Sequence, residues 1–259
     1  MARATPLTTQ SLLLCVTAAL AVSVFFYDTL PIYPFRLLVT LMHESGHAIA
    51  AILIGGHVAS VTISPTQGGL TLSTYPQSIV RGMIVTSAGY VGSAISGAAL
   101  LWAAGRMRTG RFLLTFLAVW MIAVAVLWVP IVPPQVAGAA AHASGYARSD
   151  GLFTLAFILV LSSLLLLVAW KGAVWLRQLL VIWIATLSCL AALQDIRGLF
   201  GYGLDGSDAA SMARVTHLPA GLWAGVWMLL SLLAVALGLR SLLGRRDPRM
   251  AQGIRLRAA

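Results

Sequence analysis

Three residues in the segment "LMHESGHAIA" (41–50) could do chemistry: His43, Glu44 and His47, set in an otherwise apolar stretch. Glu44 is the only glutamate in the chain. A carboxylate held within a bilayer is costly unless something compensates it, so its presence there asks for a reason. On a helix, residues four apart lie about 40° apart on one face with a rise of about 6 Å, so the imidazoles of His43 and His47 can converge on one metal ion. Glu44 projects about 100° round from His43, within reach of a water at the metal without being a ligand itself. This is the logic of H-E-x-x-H: two nitrogen ligands and a general base. Zinc makes water acidic enough to ionise near neutral pH, and the carboxylate takes the proton as the water attacks a carbonyl. The competing reading is a set of polar side chains that mediate helix packing or line a pore.

A catalytic zinc site with an open position needs a third protein ligand. The long metzincin spacing would place another histidine six residues after His47, but Leu53 stands there. His57 follows Gly55-Gly56, where the helix should have ended, and reads as an interfacial side chain, as do His142 and His217 in loops. The stronger candidates are Asp208 and Asp195, both beyond the sixth apolar span. Asp208 follows Ser207, which could cap a short helix, and a carboxylate in a first helical turn is also favourable for purely structural reasons. Asp205, in "LDGS", reads as a turn residue.

The elements that must position these residues are membrane helices. The chain is 59% hydrophobic and 9% charged, with a mean hydropathy of +0.92, whereas soluble domains carry about 25% charged residues. Apolar runs predict seven spans, near 11–27, 31–54, 79–104, 112–130, 151–170, 174–194 and 219–243. The first could be a cleaved signal peptide ending near Ala19-Leu20-Ala21, which would leave six. The apolar run continues past that triplet to Phe26, and we read it as a retained helix. Four spans separate the end of the second helix from the loop 195–218, so Asp195 and Asp208 return to the side on which the H-E-x-x-H helix ends.

The net charge of +10 comes from cations at the ends of apolar runs, without the interleaved aromatic and basic pattern of nucleic-acid binding. With seven spans, ten cations fall on the side of Arg106, Lys171 and the C-terminal tail, and five on the side of Arg81 and Arg148. The positive-inside rule then places the C-terminus in the cytoplasm of a cell-membrane protein. Cys15 and Cys189 lack any metal or redox spacing and read as core side chains. Residues 57–76 alternate polar and apolar around Pro65 and Gly68-Gly69, which predicts a β-hairpin. The expected fold is thus an all-α polytopic membrane protein with one short membrane-associated hairpin, a single domain over 1–259 with a basic tail over 245–259.

Four segments together resemble the site-2 protease family of intramembrane zinc metallopeptidases, in its compact bacterial branch: "HESGHAIAAILIGG", the following "GGHVASVTISPTQGGLT", "TSAGYVGSAISG" in the third span and "SDAASMARVTHLPAGLW" near the C-terminus. They cover about a third of the chain and keep the family's order. The resemblance implies zinc held by His43, His47 and a C-terminal aspartate, best matched by Asp208 with Asp195 as the alternative, and Glu44 as catalytic base. It also implies that the hairpin pairs with an unwound substrate by strand addition. The chain departs from the pattern of many members, in which an Asn-x-x-Pro segment leads to an Asp-Gly. Here "LQDIRGLFGYGLDGSD" has Gln194 and no proline, and no PDZ-like insertion is present. Gly89, Ser93 and Gly97 form a small-residue stripe that would let the third span approach the metal helix closely.

The expected function is therefore a zinc metalloendopeptidase that hydrolyses peptide bonds of membrane-embedded or juxtamembrane substrates. Its partners are a membrane protein or peptide and the lipid bilayer, with no nucleic acid. A metal-binding scaffold or chaperone without proteolysis is the alternative. A transporter would place ionisable groups in the middle of several spans, and outside the second span this chain has almost none.

Overall fold

Two glycines end the helix that carries the histidines. Helix α2 (Tyr33–Leu53) starts with Pro34 in its first turn, where no amide is needed. It stops at Ile54, and Gly55 takes φ +83°, a left-handed conformation that costs glycine nothing. The Gly55 and Gly56 amides donate back to the carbonyls of Ile52 and Ala51, and the chain leaves as a strand. The computed structural model describes residues 9–26, 29–106, 110–130, 148–201 and 207–243.

The remaining elements are α1 (Thr9–Phe25), β1 (His57–Ile63), β2 (Gly69–Thr74), α3 (Ile79–Arg106), α4 (Arg111–Trp128), α5 (Arg148–Lys171), α6 (Val174–Gly201), α7 (Asp208–Thr216) and α8 (Ala220–Leu243). Among the described residues, helices form at all seven places where the apolar runs predict them, and α7 is a further short helix. Among the described residues, α3, α4, α5 and α8 are long and apolar enough to cross a membrane. The basic tail, Asp205 and His142 lie outside the described residues.

Helix α3 is the central element, packed against α2, α6 and α8, while α4 pairs mainly with α5 and α1 with α6. The small-residue stripe on α3 serves two partners rather than one. Gly89 faces the histidines of α2, but Gly97 meets Cys189 and Ala185 of α6. The backbones of α2 and α3 come close at Gly46, where a Cβ would collide with the Ala88 carbonyl.

The predicted hairpin is present. β1 and β2 pair antiparallel from His57 opposite Thr74 to Ile63 opposite Gly69, with an irregularity between Val58 and Ser60. The alternation expected of β1 is lost at its far end, where Ser60, Val61, Thr62 and Ile63 are all buried. The reason is that α5 joins α2 in covering the strand. The Thr154 hydroxyl accepts from the Ile63 amide at 2.9 Å and lies 3.1 Å from its carbonyl, closing the end of β1. β2 remains the partly exposed strand.

One end of the bundle gathers cations. Arg106 donates to Ser241 at 2.8 Å, tying the end of α3 to the end of α8. Arg111 donates to the Ala169 carbonyl at 3.2 Å, tying the start of α4 to the end of α5. The opposite end carries the hairpin and α7.

Candidate metal centre

His43 and His47 project from one face of α2 with their Nε2 atoms 3.1 Å apart. Asp208, at the first turn of α7, brings Oδ2 to 3.1 Å from each of them. The structure therefore brings together the two predicted histidines and the favoured aspartate, whose donor atoms all lie within 4.8 Å of one another. Asp195 lies on α6, with its side chain outside the described residues. His57 is exposed at the start of β1, and His217 is exposed at the end of α7, where it takes φ +58°; neither joins the cluster.

The surroundings fix how the donors are presented. His47 Nδ1 lies 2.7 Å from the Val85 carbonyl, an acceptor only, so the ring donates there and, when neutral, offers a lone pair at Nε2. That lone pair points at the same place as the Asp208 carboxylate, an arrangement a divalent cation satisfies. Tetrahedral zinc with bonds of 2.0–2.1 Å to nitrogen sets its ligands about 3.3 Å apart, close to the separations found here. Gly89 shapes the floor: a Cβ at this position would collide with Nε2 of both histidines. The Tyr90 ring packs edge-on against His43, with centroids 4.7 Å apart. Tyr90 in turn stacks on Trp227, whose indole donates to the Ser87 hydroxyl at 3.0 Å.

Asp208 is positioned by the cap of its own helix. The Ser207 hydroxyl accepts from the Ala210 amide at 3.2 Å, as the sequence suggests, and starts α7 one residue before the carboxylate. Burial alone would raise the Asp208 carboxyl. The attraction of His47 and the hydrogen bonds to His43 and His47 outweigh it and hold the group below the usual carboxylate range.

Glu44 is buried and stands outside the three-donor cluster. Its Oε2 lies 2.7 Å from the Thr71 hydroxyl, which also lies 2.9 Å from the Glu44 carbonyl. Thr71 is on β2, so the hairpin is fastened to the helix at the acidic residue. The strand comes so close that a Cβ at Gly69 would collide with the Glu44 carboxyl. Beyond this point, Ser73, Thr74 and Tyr75 join Gln77, Ser78 and Arg214 around a polar cavity of about 690 Å³.

Val85, Tyr90 and Thr71 were not predicted to serve the site, and Gly89 was predicted only as part of the stripe that lets α3 approach the metal helix. Val85 acts through its backbone and leaves no trace in residue type. Gly89 and Tyr90 sit in "TSAGYVGSAISG", where the same residues serve packing equally well.

The arrangement agrees with a family match that covers most of the chain. The family model of Peptidase M50B-like proteins matches residues 13–146 and 146–238, and the chain belongs to that family, a family of membrane metallopeptidases. No curated protein and no solved structure matches the chain.

Proposed function

We propose that this protein is an intramembrane zinc metalloendopeptidase that cuts membrane-embedded or juxtamembrane polypeptides. The observation that carries the proposal is the convergence of His43, His47 and Asp208 beside a Glu44 that is not one of the three. His43 and His47 would hold the metal through Nε2, and Asp208 through Oδ2. A bound zinc ion supplies Lewis acidity, polarising the peptide carbonyl and making water acidic near neutral pH.

Glu44 accepts the proton of the attacking water and passes it to the departing amine. The Thr71 hydroxyl holds one oxygen of the Glu44 carboxylate in position. Since Thr71 belongs to β2, a substrate strand added along this strand would pass beside Glu44. Such pairing unwinds a helical substrate and exposes the carbonyls that a helix conceals.

In this reading all seven long helices cross the cell membrane, with the C-terminus in the cytoplasm. The metal site lies where α2, β2 and α7 meet, on the side opposite the cation-rich end. The test is Glu44→Gln in purified protein supplied with a membrane-spanning model substrate. The variant should keep its zinc and lose cleavage by about 10²–10⁴-fold. Undiminished cleavage would remove Glu44 from the mechanism. A cellular role that survived in a cleavage-dead variant would point instead to a metal-binding scaffold.

A further inference from the structure

A groove of about 900 Å³ runs between α2, α3 and α4, and none of its lining residues belongs to the candidate metal centre. It exists because α4 packs mainly on α5 and only sparsely on α3. Its walls are apolar: Ile49 and Leu53 from α2, Ile95 and Ala99 from α3, Phe116 and Trp120 from α4. Of these, all but Trp120 are exposed. In a chain whose helices cross a membrane, such a groove faces lipid.

One mouth of the groove is chemically different. Trp102 and Phe112 line it there, and the Arg106 guanidinium lies 4.2 Å above the Trp102 ring. Arg111 adjoins Phe112 at the start of α4. Both arginines are exposed, and among the described residues neither pairs with a carboxylate: their partners are Ser241, backbone carbonyls and the rings of Trp102 and Trp170. Gly110, just ahead of α4, lies against Arg177: a Cβ there would come within 2.9 Å of the Arg177 carbonyl. Arg177 is itself buried, and among the described residues its Nε has no hydrogen-bond partner. Two exposed guanidinium groups, with no carboxylate partner among the described residues, thus adjoin the mouth of an apolar groove.

We propose that this groove binds an anionic glycerophospholipid, its phosphate at Arg106 and Arg111 and its acyl chains running along α3 past Ala99. Guanidinium groups match phosphate oxygens in geometry as well as charge. Lipid tails are as apolar as the groove, so the tails gain little by entering it, and discrimination among lipids rests on the headgroup. The cation-rich end is also the end that the distribution of arginines assigns to the cytoplasmic leaflet, where anionic lipids are enriched. The proposal requires that the helices span a membrane, but not that the chain is catalytic.

The test is native mass spectrometry of the full chain in detergent, titrated with phosphatidylglycerol or with phosphatidylcholine of the same acyl chains. The expected result is one phosphatidylglycerol per chain, retained about tenfold better than phosphatidylcholine, with the preference weakened by salt. Arg106→Gln with Arg111→Gln should abolish the preference, and Ala99→Phe should lower retention by filling the groove. Arg214→Gln, at the opposite end of α3, should change neither. Equal retention of the two lipids by the unaltered protein would overturn the proposal without recourse to any variant. So would a preference that survives in the double variant or falls equally in Arg214→Gln. A co-purifying membrane polypeptide that Ala99→Phe displaces, in place of lipid, would assign the groove to a helix and also overturn it.

Discussion

His47 is oriented from both sides, by the Val85 carbonyl at Nδ1 and by Asp208 and His43 at Nε2. The cost of disturbing the site therefore falls on neighbours as well as on the donors. Gly89→Ala places a methyl group against both imidazoles and should reduce zinc content while the protein still folds, as read by elemental analysis beside a melting curve. Thr71→Val should leave zinc content unchanged and slow cleavage, because it removes the hydroxyl beside Glu44 but no donor; Thr71→Ser should restore the rate. An unchanged rate in Thr71→Val would mean that Glu44 holds its position unaided. At this scale the convergence of the two histidines on one face of α2 was legible, since residues four apart share a helix face. The choice between Asp208 and Asp195 was only narrowed, because it depends on how the chain returns. Val85, Tyr90 and Thr71 were not legible, since a carbonyl, a ring and a hydroxyl carry no spacing of their own.

Among the elements, α7 does most with least: nine residues whose cap and first turn deliver Asp208. Ser207→Ala removes the acceptor for the Ala210 amide and should cost about 1 kcal/mol of local stability. The account expects this to appear as weaker zinc binding in a competition titration, with little change in the melting of the zinc-free protein. Zinc affinity equal to that of the unaltered protein would show that α7 is held by its packing on α3 and α8 alone. The hairpin was legible from Gly55-Gly56, Gly68-Gly69 and the alternation between them. The burial of Ser60 and Thr62 was not, because it is imposed by α5, almost a hundred residues further on.

For the whole molecule, composition alone announced a helical membrane protein, and the helices form where apolar runs were counted. Their neighbours could not be read off in the same way. A helix that is apolar on all sides has no preferred face to declare its partner, so the central place of α3 emerges only in three dimensions. Orientation is the prediction at this scale. A cysteine introduced at His57 should react with a membrane-impermeant maleimide in intact cells, and one introduced at Ala251 only after permeabilisation. The reverse pattern would invert the topology without moving the site relative to the bundle.

The most direct measurement is the zinc content of the purified full-length chain, compared with that of Glu44→Gln, His47→Ala and Asp208→Ala. The account predicts about one zinc per chain in the unaltered protein and in Glu44→Gln, and none in the other two. A folded Asp208→Ala protein with undiminished zinc, or an unaltered protein that takes up no zinc when supplied with it, would contradict it.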